Sequence, residues 1–185
     1  GTVFSAFRVL TGEEVAIKRE MPKAGKPDEE EICLLPYEAQ VYRQLREYQA
    51  IPSLYTFEMY GGGYFLILDG VGVTLEQLHK VCRGTLSLRT VAILALEMIE
   101  RIEFVHSRGI ILRDVKPQNL AMDLGNCSSL LYMFDFGLAK PYIDLTTNDH
   151  IPFRTGLVSV GTARYMSYNV HFGRGMSFID SSSHS

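Results

Sequence analysis

Alternating apolar and polar positions open the chain. Thr2-Val3-Phe4-Ser5-Ala6 and Glu14-Val15-Ala16-Ile17-Lys18, with Thr11-Gly12 between them, read as two antiparallel strands joined by a turn. The alternation ends at Lys23 to Glu31, where Pro, Gly and a run of charges read as a solvated loop. From Pro36 to Leu45 the period lengthens: Val41 and Leu45 share one helical face and Glu38 lies a turn earlier, which predicts a short helix. Phe57 to Tyr60 and Tyr64 to Leu68, separated by Gly61-Gly62-Gly63, predict a hairpin whose second strand is too apolar to be solvated on both faces.

Beyond Asp69-Gly70-Val71-Gly72 the pattern turns helical. Thr74 followed by Gln77 is a capping-box start for a helix carrying Leu75, Leu78 and Val81. Ser87 can cap a longer helix in which Val91, Leu94, Met98, Ile102 and Val105 recur every three or four residues. Short strands at Leu120 to Met122 and Leu130 to Phe134 flank a turn at Gly125-Asn126, and the chain ends in a serine-rich stretch, Ser181 to Ser185. The expected class is α+β in one domain of two lobes: a small, mostly β lobe with one helix over residues 1–69, a connection at 70–73 with Gly70 and Gly72 as hinge, and a helical lobe over 74–185.

Composition narrows the partners more than the fold. With 185 residues, 46% of them hydrophobic and 21% charged, the chain can bury a sizeable core. A net charge of -3 supplies no global field for nucleic acid or an anionic membrane, so neither is expected as a partner. Cys33, Cys82 and Cys127 are scattered without a Cys-x-x-Cys pair, which argues against a disulfide framework or zinc site and fits a reducing compartment. The longest apolar runs fall short of the ~18 residues of a membrane span, and no signal peptide precedes them. A soluble intracellular protein, cytoplasmic or nuclear, is expected.

The chemistry concentrates in two motifs. Arg113-Asp114-Val115-Lys116-Pro117-Gln118-Asn119 is followed, after an apolar strand, by Asp135-Phe136-Gly137. Two acids, a lysine and an amide at these intervals suit magnesium-dependent phosphoryl transfer, which needs one group to position a nucleophilic hydroxyl and others to hold metal and neutralise phosphate.

These motifs, with Gly12 to Lys18, Phe134 to Lys140, His150 to Arg154 and Gly161-Thr162-Ala163-Arg164-Tyr165, resemble a protein kinase domain and, more narrowly, the casein kinase 1 family. Met166-Ser167-Tyr168-Asn169, where most kinases carry Ala-Pro-Glu, is similar to the serine-x-asparagine of that family. The resemblance implies a two-lobed fold truncated at both ends, using ATP and Mg2+. It puts Lys18 on the α- and β-phosphates, held by an acid of the first helix. Helical phase makes that acid Glu38, and the rivals Glu29, Glu30 and Glu31 lie in a charge run without an apolar stripe. Asn119 and Asp135 become metal ligands, Asp114 the group that orients or accepts the substrate proton, and Lys116 the cation that offsets charge on the transferred phosphate. Val3, Ala16 and Leu120 resemble the apolar walls around adenine, Leu68 the residue guarding the back of the pocket, and Asp69 to Val71 the hinge backbone.

The resemblance also shows departures. Gly1 fits the third glycine of the phosphate-covering loop, so the first two are absent. Leu112 replaces the usual histidine before Arg113. After Gly173 the family continues into a long buried helix whose early aspartate anchors the catalytic loop, the place the resemblance gives to Asp180, and then into further helices, so apolar surface on the helical lobe is expected to lie uncovered. Implied substrates are protein serines or threonines near acidic or already phosphorylated residues, with Arg164 binding that anion. Thr146, Thr147, Thr155 and Ser159 are candidate phosphorylation positions. The alternative is an impaired remnant serving as a nucleotide-binding or interaction module; a small-molecule kinase fits less well, because Gly161 to Tyr165 resembles a protein-substrate segment. Oligomeric state is left open.

Overall fold

The computed structural model describes residues 1–22, 33–124, 130–144, 146–147, 149–152 and 160–172. The loop and rival acids expected between 23 and 31, the turn at Gly125-Asn126, Cys127, Arg154, Thr155, Ser159 and everything from Gly173 onward lie outside the described residues.

Strands β1 (Thr2–Phe7), β2 (Glu14–Glu20), β3 (Leu54–Tyr60) and β4 (Gly63–Asp69) form one antiparallel sheet in the order β1-β2-β4-β3. The apolar strand β4 sits inside the sheet, with Leu66 and Leu68 buried, which accounts for its hydrophobic run. Gly61 and Gly62 turn the chain from β3 to β4 at φ of 55° and 77°, a left-handed geometry that favours glycine, while Gly63 already belongs to β4. The register sets Lys18 opposite Leu66 and Ala16 opposite Leu68, so the lysine and three apolar residues face the same side of the sheet.

That side is covered by α1 (Leu35–Leu45). Pro36 occupies the first turn, where its missing N–H costs no hydrogen bond, and Leu35, Glu38, Ala39, Val41, Tyr42 and Leu45 are buried. A carboxylate among five apolar or aromatic neighbours is the exception in this pattern.

The helical lobe begins with α2 (Leu75–Val81), whose capping box is complete: Thr74 accepts from the Gln77 N–H, and the Gln77 side chain accepts from the Thr74 N–H. Val81, expected on the inner face, is 79% exposed instead. The helix is seven residues long and ends there, so its last turn projects past the groups it packs on. Helix α3 (Leu88–Ser107) is capped by Ser87 as its sequence predicts. Of its stripe, Val105 is fully buried and Leu94, Met98 and Ile102 pack against the core, but Val91 is 47% exposed. Its lower turns carry the packing.

Short strands finish the lobe: β5 (Ile110–Ile111) pairs with β8 (Lys140–Pro141), and β6 (Leu120–Met122) with β7 (Leu131–Met133). A four-residue helix, α4 (Tyr168–His171), closes the described chain. The connection at 70–73 is held on both sides, since Gly70 N–H donates to Glu14 and Gly72 N–H donates to Met122. A Cβ at Gly72 would lie 2.8 Å from the carbonyl oxygens of Met122 and Asp123, so this glycine is there for close backbone approach. One apolar cluster joins the halves, running from Leu35, Ala39 and Leu66 to Val105, Leu120, Leu131 and Phe136.

Candidate active site

Between the lobes lies a cleft of about 200 Å³ lined by Val3, Ala16, Leu68, Asp69, Val71 and Pro52 toward its mouth and by Lys18, Glu38, Tyr42, Phe134 and Asp135 at its inner end. The sheet supplies Val3, Ala16 and Leu68, one each from β1, β2 and β4, while Val71 comes from the connection between the lobes and Pro52 from the segment before β3. Val71 stands between the two anchored glycines. Among the described residues its own N–H and C=O carry no hydrogen bond, so both stay available to a planar polar ligand in the cleft. Asp69 is differently placed: its N–H donates to the Ser53 carbonyl at 3.1 Å and its carboxylate accepts from the Ser53 N–H at 2.7 Å.

Leu120 does not join this cleft. It is 3% exposed and lines the neighbouring recess formed by Asp114, Lys116, Asn119, Met133 and Asp135. Side chains on a strand alternate, and β6 turns Leu120 inward to the apolar cluster.

At the inner end the charges meet. Lys18 Nζ donates to Glu38 Oε2 and to Asp135 Oδ1, each at 2.7 Å, joining β2, α1 and the segment after β7. Glu38 is 1% exposed at its side chain. Burial pushes its carboxyl above the usual value, only partly countered by the Lys18 ammonium. Burial pulls Lys18 the other way, but the two carboxylates outweigh it and its ammonium is held above the ordinary lysine value.

The Arg113 to Asn119 segment faces this cluster. Burial alone would raise the Asp114 carboxyl, but hydrogen bonds from Lys116 and Thr162 outweigh it and hold it below the ordinary aspartate value. Lys116 Nζ bonds Asp114 Oδ2 and also the Thr162 hydroxyl at 3.0 Å, while the Thr162 N–H donates to Asp114 Oδ1 at 2.8 Å. Asn119 turns its amide nitrogen to the Asp114 carbonyl at 3.0 Å, so its oxygen is the atom left to offer a cation. Arg113 is tied to the Leu138 carbonyl at 2.5 Å. Leu112, half-buried, packs on the core where a histidine was expected, so the loop is held there by apolar contact.

Asp114, Lys116, Asn119 and Asp135 thus line a single recess that meets the cleft at Asp135. Arg164 stands apart: it is exposed, with its guanidinium 5.7 Å from the Tyr165 ring. Three contributors carried no assigned role in the sequence: Thr162, Gly161 and Tyr42. Thr162 lay in a quoted motif, yet only the fold shows its segment closing on Asp114. Gly161 permits that closure at φ 116°, where a Cβ would lie 2.5 Å from the Arg113 carbonyl oxygen. Tyr42 was legible only as a position one turn after Glu38 on the apolar face of α1.

The donor set suits a hard cation bound with phosphates, since Asp135 and Asn119 supply oxygen and magnesium typically takes one or two carboxylates plus phosphate and water. Among the described residues no group of three or more His, Cys, Asp or Glu gathers into an all-protein metal cage. No described helix is long and apolar enough to cross a membrane. Compared with known families, residues 1–175 match the family model described as protein kinase domain.

Proposed function

The chain belongs to the protein kinase family, and from that premise we propose that it transfers the γ-phosphoryl group of Mg-ATP to serine or threonine hydroxyls of proteins. The observation that carries the reading is the closed circuit of Asp114, Lys116 and Thr162 beside the Lys18, Glu38 and Asp135 cluster.

Val3, Ala16 and Leu68 offer apolar contact to a purine, and the unengaged backbone of Val71 offers it a donor and an acceptor. Lys18 neutralises the α- and β-phosphates from its position on β2, which Glu38 fixes from below. Asp135 and Asn119 would hold magnesium, which supplies charge neutralisation across the phosphates when bound. Asp114, kept ionised by its partners, orients the substrate hydroxyl and receives its proton. The bond from that oxygen to the γ-phosphorus forms as the bond to the β–γ bridging oxygen breaks, and ADP leaves. Lys116 offsets the negative charge on the transferring group. Thr162 closes the floor under an incoming side chain, where a compact hydroxyl fits beside Asp114. The exposed Arg164 guanidinium suits an acidic or phosphorylated neighbour in the substrate, in line with the casein kinase 1 resemblance.

The test is incorporation of labelled phosphate from Mg-ATP into casein, with Asp114→Asn and Asp135→Ala beside the wild type and acid hydrolysis to identify the labelled residue. Wild type is expected to label serine or threonine, with Asp114→Asn reduced about 10²–10⁴-fold, the usual range for a lost general base. Equally faint labelling by all three folded proteins would leave the nucleotide-binding or interaction module instead.

A further inference from the structure

Helix α1 reaches the Asp135-Phe136-Gly137 segment from two residues one turn apart. Glu38 is tied to it through Lys18, which bonds both Glu38 Oε2 and Asp135 Oδ1, and the Tyr42 hydroxyl accepts a hydrogen bond from the Asp135 N–H at 3.1 Å. Among the described residues, Tyr42 is the α1 side chain that holds a peptide group of this segment directly. Tyr42 is 2% exposed, and its ring meets Phe136 edge-on, centroids 5.0 Å apart at 79°. Asp135 needs such support: it is one of two non-glycine residues with positive φ among those described, at 64°, a left-handed conformation that costs free energy and persists where its surroundings enforce it.

That conformation aims the carboxylate. Asp135 Oδ1 reaches Lys18 while the side chain stays 40% exposed toward the recess that also holds Asn119. Rotation of the peptide would swing the carboxylate away from both. Glu38 alone cannot prevent this, since it reaches the segment through the Lys18 ammonium and not through the Asp135 peptide.

We propose that Tyr42 is a positioning residue for metal binding: its hydroxyl fixes the Asp135 backbone so that the carboxylate and the Asn119 amide oxygen meet one cation. The proposal rests on the phosphoryl-transfer reading above. It assigns the hydroxyl a task separable from filling space, because Phe136 is already packed by the ring.

The experiment is a thermal-shift titration of the whole chain with a non-hydrolysable imido analogue of ATP, first without metal and then across Mg2+ concentrations. Tyr42→Phe keeps the ring and removes the hydroxyl; Tyr42→Met fills the space differently and serves if the first variant fails to fold. The expected result is a Mg2+ requirement raised about tenfold over and above any change in metal-free nucleotide affinity, the scale seen when groups orienting a metal ligand are removed. An unchanged Mg2+ requirement would overturn the proposal. So would equal weakening of nucleotide binding with and without metal, which a purely structural role predicts. A wild type whose nucleotide binding ignores Mg2+ would overturn the phosphoryl-transfer reading, and this proposal with it.

Discussion

A single buried carboxylate sets the character of the cleft. Glu38 is 1% exposed, and its compensating charge comes from Lys18 at 2.7 Å. Replacing Lys18 by methionine removes that charge and leaves the carboxylate uncompensated, a change that typically costs about 3–5 kcal/mol. The pH dependence follows from the direction of the shift. The folded pKa of Glu38 is raised above its ordinary value, so between the two values the native protein holds a proton the unfolded chain has released, and stability falls as pH rises through that window. Without Lys18 the folded pKa moves further up and the window widens. The deficit of Lys18→Met against wild type is therefore expected to be larger at about pH 7.5 than at about pH 5 in urea unfolding. A deficit that grows toward acid would contradict this account. The choice of Glu38 over Glu29, Glu30 and Glu31 was readable in the sequence because helical phase relates it to Val41 and Leu45. The contact from Tyr42 to Asp135 was not readable, since it joins positions 93 residues apart and depends on how α1 docks.

Among elements, those whose signals are local match the sequence most closely. Thr74 and Gln77 cap α2 through bonds made within four residues, and Ser87 caps α3 the same way. Inward and outward faces were less legible. Val81 fits the stripe of α2 yet projects into solvent, and Val91 fits the stripe of α3 yet is 47% exposed. Both depend on neighbours that periodicity does not name. Helix α3 shows the limit most clearly because it is apolar on two sides. Its inner side meets β7 and the core, while Leu88, Ile93, Leu96 and Ile99 are 85%, 47%, 65% and 58% exposed. A contiguous apolar stripe on a helix promotes association. Light scattering is expected to show wild-type particles growing with protein concentration and Leu96→Lys growing less, since Leu96 lies at the centre of the stripe and a lysine there adds charge without touching the core. Equal growth would place the adhesive surface elsewhere.

For the whole molecule, the apparent division into two lobes conceals shared packing. Phe136 is fully buried, is met edge-on by Tyr42 of α1, and belongs to the same cluster as Leu66 of the sheet and Val105 of α3. Lys18 adds a polar tie across the same gap by reaching Asp135. If each lobe had its own core, a change in one would leave the other's unfolding untouched. A shared core predicts a single cooperative transition in which both report the loss. Phe136→Ala removes a fully buried ring and is expected to cost about 3–5 kcal/mol, with the spread set by how far α1 can settle into the space. Hydrogen exchange followed separately on β4 and on the lower turns of α3 checks this, because amides that open only through global unfolding lose protection by the same amount. Equal losses in both elements would identify the segment after β7 as the joint between the lobes. A loss confined to α3 would mean that the sheet and α1 hold together without Phe136, and that the cleft is closed by the Lys18 contacts alone.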